Sequence, residues 1–225
     1  MSADNQKRIK VLENGPYEVS GNVPINQLTF IPNQKGFSVE YKKTDDYEMV
    51  EPYHLCRCGQ SKNKPCCDGS HLNGFNGTET AHHKSYEEMA KSIKGIQMDL
   101  LDAEELCAAA RFCDTKSGTW NLVENAENPE AKEIIEHQCT RCPSGRLTAV
   151  SKDGTVIEPV LPKEISVLED TAANVHGPLW IKGGIEIEDS KGQTYPVRNR
   201  VTLCRCGKSK NKPFCDGHHM QDAKR

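Results

Sequence analysis

Aromatic residues make up only 6% of this 225-residue chain and hydrophobic residues 36%. No single rich core is implied, and modules this poor in apolar side chains usually rely on metals or disulfides as staples. Nowhere do about 18 uncharged apolar residues run together, as a membrane-spanning helix would require. The amino-terminal MSADNQKRIK leads into no apolar stretch either, so a soluble, cytoplasmic chain is expected. A formal net charge of −3 is too balanced to imply a polyanion, and neither a nucleic-acid nor a membrane partner is expected. There is no nucleophile elbow, phosphate loop or paired catalytic carboxylate, and Gly183-Gly184 reads as a bend between strands. Catalysis by side chains alone has no support.

Cysteine, by contrast, is abundant, with 11 residues. In a reducing compartment a dense cysteine pattern points to metal binding more than to disulfides, and the odd count argues against complete internal pairing. Seven of the cysteines fall in or beside a repeated string, Cys-x-Cys-x8-Cys-x3-His. It reads CRCGQSKNKPCCDGSH from Cys56 to His71 and CRCGKSKNKPFCDGHH from Cys204 to His219. Two metal centres of one kind are expected, with donors Cys56, Cys58, Cys67 and His71, and Cys204, Cys206, Cys215 and His219. Upstream, Gly15-Pro16-Tyr17-Glu18-Val19 resembles Gly177-Pro178-Leu179-Trp180-Ile181, so the duplication extends beyond the loops. Three modules follow: 8–80, a compositionally distinct 81–160, and 161–225.

Short segments rich in β-branched and aromatic residues, at Tyr17–Val19, Leu28–Ile31, Phe37–Tyr41, Trp180–Ile187 and Tyr195–Leu203, read as strands. In the centre, 85–100 and 103–112 carry helix formers at helical spacing. Asn128-Pro129-Glu130 starts a further helix over 129–137. The fold class expected is α+β, with two small β-rich modules and a mainly helical middle.

Three cysteines and a histidine are also a zinc set, so the donors alone leave zinc open. A cysteine followed four residues later by histidine suits one helical turn, with Asp68 and Asp216 as N-caps. Cys66 is replaced by Phe214 in the second copy, and reads as a packing residue. His82, His83 and His137 lack a recurring partner spacing and read as surface residues.

Through Cys56, Cys58, Ser61, Pro65, Cys67, Asp68, Gly69, Ser70 and His71, the first string resembles the CDGSH, or NEET, iron–sulfur family. The second matches through Cys204, Cys206, Ser209, Pro213, Cys215, Asp216, Gly217 and His219, with His218 where a small residue is usual. The resemblance implies a [2Fe-2S] cluster on three cysteines and one histidine in each copy, in a β-rich fold whose two copies pack about a pseudo-twofold axis. One chain would then build intramolecularly what single-copy members build as homodimers, so a monomer is expected. One histidine leaves the oxidised cluster with a single net negative charge where four thiolates would leave two, so its potential should lie above that of plant-type ferredoxins. Proton coupling at the histidines is a further expectation. Arg57, Lys62, Lys64, Arg205, Lys208, Lys210 and Lys212 read either as cations favouring the reduced form or as a solvated basic loop.

Cys107 and Cys113 stand as the first and third cysteines of a bacterial ferredoxin run, with Ala110 in the middle place. Cys139 and Cys142-Pro143 follow far along the chain. The stretch from Cys107 to Leu147 resembles the divergent single-cluster 4Fe-4S ferredoxins, which implies a [4Fe-4S] cluster on Cys107, Cys113, Cys139 and Cys142. If Cys139 points elsewhere, the cluster would be [3Fe-4S]. A closed zinc site and buried apolar cysteines are the alternatives. The reading is an electron-transfer protein whose partner is a redox protein, with a cluster carrier or redox/pH sensor serving apo iron–sulfur proteins as the alternative.

Overall fold

The computed structural model describes residues 6–222; residues 1–5 and 223–225, the last three of the third segment, lie outside it. The amino-terminal part forms β1 (Arg8–Val11), β2 (Tyr17–Ser20), β3 (Ile25–Pro32), β4 (Ser38–Tyr47) and β5 (Tyr53–Leu55). The centre holds α1 (Tyr86–Met89), β6 (Lys91–Ile93), β7 (Asp99–Asp102), α2 (Thr119–Asn125), α3 (Glu130–Thr140), β8 (Leu147–Val150) and β9 (Val156–Ile157). The carboxyl-terminal part forms β10 (Ile165–Asp170), β11 (Val175–Lys182), β12 (Glu186–Glu188) and β13 (Arg200–Leu203).

Alternation sets the inward faces: Ile9 and Val11 of β1, and Tyr17 and Val19 of β2, are fully buried. The two outer sheets exchange strands. One has the order β12-β1-β2-β5 and the other β13-β11-β10-β3-β4. Strand β12 lies parallel to β1 with Ile187 opposite Ile9, and β3 lies parallel to β10 with Ile25 opposite Ile165. A single apolar cluster draws on both ends, including Ile9, Tyr17, Ile25, Leu55, Ile165, Leu179, Ile187 and Leu203. Each such fully buried aliphatic side chain contributes about 1.5–3 kcal/mol of transfer free energy.

The central segment has its own sheet, β6-β7-β8-β9, and a core of Met98, Leu100, Val123, Ile135, Cys139, Leu147 and Ala149. An aromatic cluster of Phe30, Tyr41, Phe112 and Trp180 joins it to β3, β4 and β11. Of the helix expected over 85–100 only the single turn α1 forms, and the one expected over 103–112 gives way to short 3-10 turns. Helix ends at Met89, and residues 91–102 give two antiparallel strands because Leu100 and Asp102 alternate inward against β8. Between Cys107 and Cys113, Ala109 and Arg111 take φ of +53° and +64°, which breaks any helix. The middle is therefore mixed, and its longest helix, α3, starts after Pro129 as expected but runs on to Thr140. The strand expected over 195–203 is confined to β13, since Pro196 cannot donate to a ladder. The run over 180–187 breaks at Gly183 and Gly184, with φ of +71° and +73°.

Candidate metal centres

Each repeated string begins where a strand ends: β5 leads into Cys56 and β13 into Cys204. The loops are braced identically. Ser61 Oγ donates to Cys66 O at 2.7 Å and accepts from Asn63 N at 3.0 Å; Ser209 does the same with Phe214 O and Asn211 N. The expected N-caps Asp68 and Asp216 do something different. Asp68 accepts from Ser70 N at 3.0 Å and Lys62 N at 2.8 Å, while Gly69 holds the cap position of a short 3-10 turn. Asp216 accepts from His218 N at 3.1 Å and Lys210 N at 2.8 Å. Each carboxylate ties the turn before the histidine back to the loop.

The donors meet in pairs. Cys56 and Cys58 Sγ are 3.7 Å apart, and Cys67 Sγ lies 3.3 Å from His71 Nδ1. In the second string Cys204 and Cys206 Sγ are 3.6 Å apart, and Cys215 Sγ lies 3.4 Å from His219 Nδ1. Among the described residues no three His, Cys, Asp or Glu donors converge on one point. All the cysteines are free thiols. The hydrogen bond from Cys206 holds the Cys204 thiol down to about 6 and drives Cys206 upward. Burial, followed by Arg205, lowers His219 to about 4, so its imidazole is neutral and can offer a lone pair at neutral pH.

The two sites sit back to back. Gly59 and Gly207 have φ of +77°, and a Cβ on Gly59 would collide with Cys206 O just as one on Gly207 would with Cys58 O. Tyr17 Oη donates to Cys204 O at 2.7 Å and to Pro213 O at 3.0 Å. Surroundings differ, however. A Cβ on Gly217 would lie 3.1 Å from Ala109 Cβ, whereas the equivalent Gly69 faces open space.

Arg57 and Arg205 are buried, at 1% and 5% exposure, so neither belongs to a solvated loop. Arg57 donates to Gly15 O at 2.9 Å and Gly77 O at 2.7 Å, packs over the Tyr17 and Phe75 rings, and has no carboxylate partner among the described residues. Arg205 donates to Gly177 O, Leu168 O and, at 2.6 Å, the Glu169 carboxylate. Lys62, Lys64, Lys208 and Lys210 are exposed, and Lys212 is half-buried.

In the centre, Cys139 is fully buried on α3 and Cys142 follows just past its end. The four thiols are electrostatic neighbours: Cys113 feels Cys142 and Cys107, and Cys139 feels Cys142 and Cys113, while burial pushes both Cys113 and Cys139 up. Cys142 Sγ lies 3.5 Å from Ser144 Oγ and Cys113 Sγ 3.8 Å from Asp114 Oδ1. Cys66 Sγ approaches Met49 Sδ at 3.8 Å and Phe214 packs in the apolar cluster, in line with packing roles. His82 and His137 are exposed, but His83 is half-buried and stacks on Tyr195 with ring centroids 4.2 Å apart. The role of Tyr17 carries no sequence signal, since its counterpart in the upstream repeat is Leu179, which has no hydroxyl to donate.

A family model described as iron-binding zinc finger CDGSH type matches residues 14–72 and 176–220, and one described as divergent 4Fe-4S mono-cluster matches residues 93–152. The chain is a CDGSH-type iron–sulfur protein in which two CDGSH modules flank a divergent single-cluster 4Fe-4S module. No curated protein and no solved structure matched it. Among the described residues no helix is long and apolar enough to cross a membrane.

Proposed function

We propose that the chain is an electron-transfer protein with three clusters. Cys56, Cys58, Cys67 and His71 would hold one [2Fe-2S] cluster, and Cys204, Cys206, Cys215 and His219 another. Cys107, Cys113, Cys139 and Cys142 would hold a [4Fe-4S] cluster, or a [3Fe-4S] cluster if one of the four is not engaged. The pairing of donors carries the reading. In a two-iron cluster each iron takes two protein donors, whereas in a four-iron cluster each takes one. Sulfur separations of 3.6 and 3.7 Å match the edge of a tetrahedral site with bonds of about 2.3 Å. A structural zinc would instead gather all four donors on one centre. Singly placed thiols suit the middle cluster.

When bound, such clusters supply one-electron chemistry. Arg57 and Arg205 set buried positive charge beside each anionic site, which favours the reduced form. The strand exchange and the reciprocal glycine contacts support a pseudo-twofold pair within one monomer, built from modules at 8–80 and 161–225 with 81–160 between them. A redox protein is the proposed donor or acceptor, in the cytoplasm, where free thiols persist. A cluster-carrier or sensor role is favoured by one observation: the N-terminal site is open at Gly69, with Leu72 83% exposed.

Iron, sulfide and zinc content of anaerobically purified protein, with absorption and EPR in both redox states, tests the proposal. About eight irons per chain are expected, or about seven with a three-iron centre. Zinc without iron or colour would overturn it.

A further inference from the structure

Helix α3 delivers Cys139 in its last turn and Cys142 just beyond, so both thiols hang from a helix end whose last carbonyls lack partners within the helix. Local amides take part of that load. Cys142 N donates to Cys139 O at 3.1 Å and Gly145 N to Cys142 O at 3.2 Å. The rest is met from far along the chain. Arg200, 2% exposed at the start of β13, donates from Nη1 to Cys139 O at 2.5 Å and to Cys142 O at 2.9 Å, and from Nη2 to Leu147 O at 3.3 Å. Glu158 accepts from Nε at 3.1 Å and also from Nη2, which fixes the guanidinium from its other side.

Backbone packing gives a second, independent indication. Gly145 has φ of +66°, and a Cβ there would lie 3.2 Å from Arg200 O and 3.4 Å from Arg200 Cβ. Lacking one, the turn after Cys142 closes directly onto β13. A cation at a helix C-terminus is also favourably placed against the helix dipole.

We infer that Arg200 is a positioning residue of the middle site: its guanidinium fixes the Cys139 and Cys142 carbonyls and sets both thiols toward Cys107 and Cys113. The middle site is complete only when β13, a strand of the carboxyl-terminal segment, is in place. That strand leads at its other end into Cys204, so it serves two sites at once. This inference rests on the reading of the four middle cysteines as ligands of one cluster. A lysine ammonium carries its three donors on one nitrogen and cannot hold the Cys139, Cys142 and Leu147 carbonyls and the Glu158 carboxylate together, as the planar guanidinium does.

The test compares the full chain with R200Q, R200K and E158Q. R200Q is expected to keep the outer-site EPR signals while losing one iron, or the whole four-iron signal, at the middle site. R200K is expected to follow R200Q, and E158Q, which spares the carbonyl bonds, to retain the four-iron signal. In metal-free protein, alkylation of Cys139 and Cys142 followed by peptide mass mapping should be about tenfold faster in R200Q, the factor that one lost buried hydrogen bond gives. The rate at Cys66 should not change. Wild-type iron content, signal and thiol rates in R200Q would overturn the inference, as would an equal loss in E158Q, which would assign the effect to the ion pair. Should R200Q lose the outer signals too, R200K and its alkylation rates carry the same decision. A wild type without iron would defeat the cluster reading instead, and the metal-free rates would still decide the role of Arg200.

Discussion

Arg57 and Arg205 hold the same place in the two strings, and their surroundings differ by one carboxylate. Glu169 partly offsets the charge of Arg205, while Arg57 remains a buried cation bonded, among the described residues, to carbonyls and packed on aromatic faces. The two proposed [2Fe-2S] sites should therefore have different potentials, the N-terminal one higher. E169Q is expected to raise the C-terminal potential by about 40 mV, the equivalent of roughly 1 kcal/mol for a one-electron couple. An EPR-monitored redox titration reads both sites in one sample, and an unmoved C-terminal potential would refute the argument. The proposed donors could be named from the sequence because twelve residues sit in repeated or ferredoxin-like spacings. Arg57 was legible only as a charge, since nothing in CRCG says that the guanidinium turns inward. Arg200 was illegible, because an arginine opening a short strand ordinarily reads as a surface residue.

At the level of elements, the outer strands at Tyr17, Leu28 and Trp180 could be read from β-branched and aromatic clustering, whereas β1 and β10, which hold no aromatic residue, could not. The helix expected over 85–100 failed for a tertiary reason. Its helix formers are overridden by β7, where Leu100 packs into the middle core and Asp99 anchors the edge. Asp99 accepts from Lys152 at 2.6 Å, from Lys94 at 2.7 Å and from Gly95 N at 3.2 Å, and these bonds hold its carboxyl well below the usual range, Lys152 first. A carboxyl depressed in the folded state adds stability above its unfolded value of about 3.9, and that stability is lost as pH falls through the folded value. D99N is expected to melt about 1–3 °C lower than wild type at pH 7, a small effect because both lysines are largely exposed. The gap should close as the pH is lowered from 4 toward 2, as thermal melts of the two proteins in parallel will show. A gap that stays constant with pH would mean that Asp99 acts through packing rather than charge.

For the whole molecule, the strand exchange decides what can stand alone. Strands β3 and β12 play the same part, each lying parallel to the first strand of the opposite end. The duplication was readable in sequence, but the exchange was not, since parallel pairing across the chain leaves no local pattern. Residues 1–80 expressed alone lack β10 and β12, and are expected to pair with a second copy, β3 of each lying beside β1 of the other. Size-exclusion chromatography with light scattering should find this fragment dimeric and the full chain monomeric; a monomeric, iron-loaded fragment would contradict that expectation. The exchange also bears on how the protein is made. Strand β1 emerges from the ribosome with its partner β12 still some 175 residues away. At roughly 5–20 residues per second, its edge waits on the order of ten to thirty seconds for that partner to be synthesised. Through that interval the nascent chain offers an unpaired β edge together with four cysteines, so metal loading of the first site is expected late in biosynthesis although its proposed ligands are translated first.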